Sequence, residues 1–167
     1  MLPGKSGLES ALLLANLSSL VCDYIARQKV GGLSFPYFVM KQLPILSPDS
    51  YTQRDRKFIV NRVLHLTYNS FDMSKWAEDL GFNHSPYVFD LEVRARLQAE
   101  LDAYFAKLYG LNRKELQFIL DPESVRPGYP SETFSVLKRS DIRLYQEYRT
   151  QRLVLEAWDK LEAGELH

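Results

Sequence analysis

From Asp90 to Gly110, apolar side chains recur as Val93, Leu97, Leu101, Tyr104 and Leu108, three or four residues apart. Only an α-helix gathers that spacing onto one face, because a strand repeats every second residue. The pattern returns as Phe58, Ile59, Arg62, Val63 and Leu66 within YTQRDRKFIVNRVLHLTY, and as Ile142, Tyr145, Tyr148, Arg152, Leu155 and Trp158 in a last helix expected over about 138–163. Residues 8–28 are apolar on nearly every side, which predicts one buried helix with neighbours all round. Lys29 and the Gly31-Gly32 pair close it, a cation at the carbonyl end and glycine just beyond.

The remaining boundaries follow from local chemistry. Asp49 or Ser50 is expected to cap the helix after Tyr51, a short helix spans Ser74 to Leu80 before Gly81, and Gly110 stops the long helix. Asn112 with Glu115 forms a capping box that opens NRKELQFIL, and Asp121-Pro122 closes it. Between the first two long helices lies an apolar ribbon, residues 33–46. Pro36 and Pro44 bias Phe35 and Leu43 away from helical dihedrals, so one or two short extended strands are expected there. The fold class is therefore mainly α, a bundle-like helical domain. With 167 residues, 46% of them hydrophobic, the chain has material for one compact core.

A lone cysteine, Cys22, forms neither an internal disulfide nor a Cys-x-x-Cys pair, which points to a reducing cytoplasm. The run from Leu8 to Ala26 is interrupted by Glu9, Asn16, Ser18, Ser19 and Asp23, so a core helix is expected and no membrane partner. Gly4-Lys5-Ser6 lacks the earlier glycine and the strand of a phosphate loop. Pro48-Asp49 with Asp55-Arg56-Lys57 echoes a metal-dependent nuclease core, but the second half lies in a helical pattern, where carboxylates do not converge on one ion. His65, His84 and His167 have no second ligand at zinc spacing, and no Gly-x-Ser-x-Gly elbow presents a serine. His84-Ser85-Pro86-Tyr87 has one proline where the adenine-binding tetrapeptide of DNA methyltransferases has two. No catalytic residue, metal ligand or cofactor is assigned within the chain.

Charge offers more. The 21 basic and 21 acidic residues cancel, but from Ile25 to Arg62 seven cations face only Asp49 and Asp55, a local +5, whereas residues 72–123 carry ten acids and six bases, a local −4. The cations Arg27, Lys29, Lys41, Arg54, Arg56, Lys57 and Arg62 alternate with Tyr24, Tyr37 and Tyr51, a mixture suited to phosphate contacts and base stacking. A solvated helix face accounts for the same residues.

Several blocks resemble, in the same order, the C-terminal region of bacterial adenine-specific DNA methyltransferases of restriction-modification and phage-exclusion systems. They are LLLANLSSLVCDYIARQKVGGLSFPYFVMKQLPILSP, EVRARLQAELDAYFAKLYGL, ELQFILDP, ETFSVLK and YRTQRLVLEAWD, and together they reach from residue 8 to residue 159. The resemblance implies a C-terminal piece of a larger enzyme whose S-adenosylmethionine-binding domain lies upstream. Residues 1–48 would then end a target-recognition region and 49–167 form a helical C-terminal domain. It further implies duplex DNA as partner, with Arg27 to Lys41 forming or bracing the recognition surface. Lys41 or Gln42 could read bases, and Arg54, Arg56, Lys57 and Arg62 would neutralise phosphates. The alternative is a helical module that docks on its parent without touching DNA.

Overall fold

A computed structural model describes residues 6–30, 35–129 and 133–166. Among these residues there are nine α-helices and no strand. The mainly helical class holds, and the ribbon is corrected. Its described part, from Phe35 onward, turns through a single helical turn, α3 (Tyr37–Met40). Pro36 restricts Phe35 before it, but as the N-cap it leaves the residues after it free to turn. Gly31, Gly32, Leu33 and Ser34 lie outside the described residues.

The expected helix over 8–28 is two helices, α1 (Gly7–Leu17) and α2 (Leu20–Lys29), bent by 62°. Ser19 makes the break. Its hydroxyl donates to the Asn16 carbonyl at 2.8 Å and accepts the Cys22 N–H at 3.3 Å, which ends one helix and caps the next. The Leu20 N–H, unpaired within its own helix, donates instead to Asp102 Oδ1 at 2.9 Å. Among the described residues no single helix is long and apolar enough to cross a membrane. Gly7 lets the start of α1 approach the end of α5 (Ser74–Asp79), since a Cβ there would stand 2.9 Å from the Asp79 Cβ.

The helix α4 (Gln53–Thr67) is capped by Thr52 and Asp55 in a reciprocal box; Asp49 and Ser50 lie in a preceding 3₁₀ turn, Pro48–Ser50. Asp90 caps α6 (Leu91–Leu108), a role its sequence position had not been given, and, as expected, Asn112 with Glu115 opens α7 (Arg113–Leu120). The last helix is also two, α8 (Ser135–Tyr145) and α9 (Arg149–Glu162), with Gln146 in the left-handed region at φ 61°. Asp141 bridges that break by accepting the Thr150 N–H at 2.7 Å.

The helix α6 forms the axis. Leu101 and Phe105 join Ala11, Leu12, Tyr51, Phe58, Ile59 and Val63 in one core cluster, which spans both sides of residue 48. Ala99, Ala103 and Ala106 face a second cluster with Leu116, Leu120, Val154 and Trp158. Small side chains on that face allow α9 to lie close along α6, its most extensive helix partner.

Asn16, fully buried, ties the 44–51 loop to this axis. Its Oδ1 accepts the Leu46 N–H at 2.9 Å and the Tyr51 hydroxyl at 3.4 Å, and its Nδ2 donates to the Tyr109 hydroxyl at 2.6 Å. That hydroxyl in turn donates to the Pro44 carbonyl at 2.7 Å. Asn16→Ala strands these groups away from water and is expected to cost about 2–4 kcal/mol in urea unfolding. Asn16→Asp, which keeps the acceptor but loses the donor, should fall below wild type as well.

Candidate nucleic-acid interface

The eight candidate residues fall into two exposed groups and one buried position. The first group is at the end of α2 and across α3. Lys29 Nζ reaches Gln42 Oε1 at 3.5 Å, so two residues thirteen apart in sequence become neighbours. Lys41 Nζ sits 4.5 Å from the centre of the Tyr37 ring. Arg27 pairs with Asp23 at 2.9 Å and lies 5.5 Å from the Phe134 ring. Exposed on both sides, that ion pair contributes no more than about 1 kcal/mol and leaves Arg27 available to exchange partners. Arg27 and Lys29 also complement the carbonyl end of α2.

The second group is the first turn of α4. Arg54 and Lys57 are exposed and Arg56 is half-buried, and Arg54 acts on the neighbouring Asp55. Burial alone would raise the Asp55 carboxyl. Hydrogen bonds from Tyr104 and Thr52, with the Arg54 charge, more than offset this and hold it below the usual range. Arg56 is committed to the fold, its guanidinium donating to the Pro48 carbonyl at 2.9 Å and the Tyr51 carbonyl at 3.2 Å. Arg56 and Lys57 line an open groove of about 700 Å³ with Gln53 and Asn61.

Arg62 does not belong to either group. It is 8% exposed, pairs with Glu100 at 2.7 Å, donates to the Phe58 carbonyl at 3.1 Å and lies 3.3 Å over the Phe58 ring. Its guanidinium is spent on these inward partners and is turned away from any phosphate at the surface. Of the interleaved tyrosines, Tyr37 is exposed, Tyr24 half-buried and Tyr51 buried.

Two features escaped the sequence pattern. Phe35, Phe38 and Met40, expected in a partly buried strand, are exposed beside Lys41, because a single helical turn points only Val39 inward. The other is a small cavity of about 210 Å³ around Asp102, Asp141 and Arg149. Its signal in the sequence was a set of charged residues inside otherwise apolar helical stripes. Among the described residues, no group of three His, Cys, Asp or Glu side chains could hold a metal ion. Cys22 is buried, and burial first, then the Asp23 charge, pushes its thiol upward, away from nucleophilic use.

Comparison with protein-family models, with curated proteins and with solved structures finds no match to this chain.

Proposed function

We propose that this chain is a DNA-contacting and scaffolding helical domain of a larger S-adenosylmethionine-dependent, adenine-specific DNA methyltransferase of a restriction-modification system, acting in the cytoplasm. The ordered sequence blocks support the parentage. The observation that carries the contact role is the exposed group Arg27, Lys29, Lys41 and Gln42, set in a stretch, residues 24–48, that has three cations and no acid. Asp23 offsets Arg27, so the surplus positive charge that would draw phosphates rests on Lys29 and Lys41. The methyltransferase domain upstream would be its second partner. As the sequence resemblance implies, S-adenosylmethionine would bind that upstream domain, and no chemical step is given to this chain.

A second reading has its own observation. Leu13, Leu14, Leu17, Met73 and Trp76 line an apolar groove of about 420 Å³ between α1 and α5, as a module docked on its parent would require. The two readings part in one experiment. The 167-residue chain, titrated against labelled duplex DNA at low and at physiological salt, is expected to bind at low salt and to weaken steeply as salt rises. Lys29→Glu with Lys41→Glu should weaken low-salt binding by roughly tenfold or more. A folded chain that ignores duplex DNA at low salt rejects the first reading and leaves the docking module.

A further inference from the structure

Resting on that reading, we infer that α3 and the adjoining Phe35 form a stacking platform for unpaired nucleobases, so the preferred DNA carries a single-stranded or opened stretch. Phe35, Tyr37, Phe38 and Met40 are 48%, 66%, 64% and 47% exposed, whereas Val39 between them is 3% exposed. Val39 anchors the turn, and the four others stand outward. The turn itself is held by backbone bonds from Val39 N–H and Met40 N–H to the Pro36 carbonyl at 2.9 and 3.2 Å, and from Gln42 N–H to the Val39 carbonyl at 2.9 Å. The rings are thus presented on a braced support.

Charge decides what such a platform meets. Lys41 lies against the Tyr37 ring, Lys29 and Gln42 adjoin each other, and no acid occurs between Tyr24 and Pro48. Ring faces alternating with cations match a strand in which bases alternate with phosphates. Within an intact duplex each base face is covered by its neighbours, so exposed rings gain little there. Unpaired bases offer free faces, and stacking on an aromatic ring is largely indifferent to base identity. The Gln42 amide, whose Oε1 accepts from Lys29 Nζ, keeps its Nε2 donor for a base edge.

The test uses the full chain with an intact duplex, the same duplex carrying a short single-stranded gap, and vesicles containing phosphatidylserine. Wild type is expected to bind the gapped DNA about tenfold or more tightly than the intact duplex. Tyr37→Ala with Phe38→Ala should abolish that preference while binding to the intact duplex is retained. Phe38→Leu keeps apolar volume without a π-face and should lose part of the preference while melting like wild type. Equal affinity for gapped and intact DNA overturns the platform and leaves the proposed function standing. Binding to neither DNA rejects both. Vesicle binding that depends on Tyr37 and Phe38, with no advantage for gapped DNA, overturns the platform in favour of a lipid surface.

Discussion

Raising the pH from about 5 to about 8 is expected to lower the stability of the folded chain, and Asp102→Asn to remove that loss. Asp102 is buried on α6, where its Oδ1 accepts the Leu20 N–H across the α1–α2 bend. Burial pushes its carboxyl up to about 7, Asp23 adds to the rise, and the hydrogen bonds from Leu20 and Gln98 only partly oppose it. The other charged groups facing it are Asp141 and Arg149 on the shared cavity wall, with Tyr145 beside them. Arg149 is engaged elsewhere, pairing with Glu92 at 2.6 Å and lying 4.4 Å from the Tyr145 ring, so it does not neutralise Asp102.

The sign follows from proton binding. The folded chain holds the Asp102 proton up to about pH 7, whereas the unfolded chain releases it near the ordinary carboxylate value. Between those limits the folded state binds the extra proton, so stability falls as pH rises and levels off above about 7. The full difference corresponds to roughly 4 kcal/mol. An asparagine in place of Asp102 stays neutral at every pH, and its side-chain oxygen can still accept from Leu20. In urea unfolding Asp102→Asn should match or trail wild type near pH 5 and exceed it near pH 8. Parallel pH curves for the two proteins would show that another group is responsible. Asp55, Asp90, Glu147 and Asp159 are held below the usual range and act with opposite sign: they stabilise above the ordinary value and lose that contribution in acid, outside this window.

The same residue shows why the sequence was only partly legible. Helices α6 and α7 announce themselves because the residues that bound each one stand directly at the ends of its own apolar period: Asp90 and Gly110, Asn112 and Asp121. The α1–α2 bend rests on Ser19 and on a carboxylate 82 residues away, which no local window contains. The α8–α9 break likewise puts Gln146, a residue with no glycine-like freedom, at positive φ, and Asp141 caps the continuation. In the ribbon, apolar residues on both alternating faces suited a buried strand as well as a turn, and the prolines constrained only the residue before each. Among the candidate cations, exposure separated Lys29 and Lys41 from Arg62. Arg62 had already stood in the apolar stripe with Phe58, Ile59 and Val63, and that position, more than its charge, governs where it points.

Arg62→Met is accordingly expected to act on stability and to leave the DNA affinity of the folded chain unchanged. Arg62 closes a chain of contacts that joins α4 to α6. Asp55 accepts from the Tyr104 hydroxyl, the Tyr104 ring stacks on Phe58 with centroids 3.9 Å apart, and Arg62 covers Phe58 and pairs with Glu100. Burial draws the guanidinium below its ordinary value and Glu100 opposes this only in part, so the pair does not fully offset its own desolvation. Methionine fills much of the volume but leaves Glu100, whose side chain is 19% exposed, without its cation. The expected cost is about 2–4 kcal/mol, somewhat under that of a fully buried pair because Glu100 keeps some contact with water. Removing the second charge should return most of it: Arg62→Met with Glu100→Met is expected to recover at least half of the loss, as apolar replacements of buried ion pairs commonly do. Denaturant midpoints for the two single variants and the double variant measure the coupling directly. An Arg62→Met protein that melts like wild type yet loses duplex affinity would return Arg62 to the DNA surface, against its burial here.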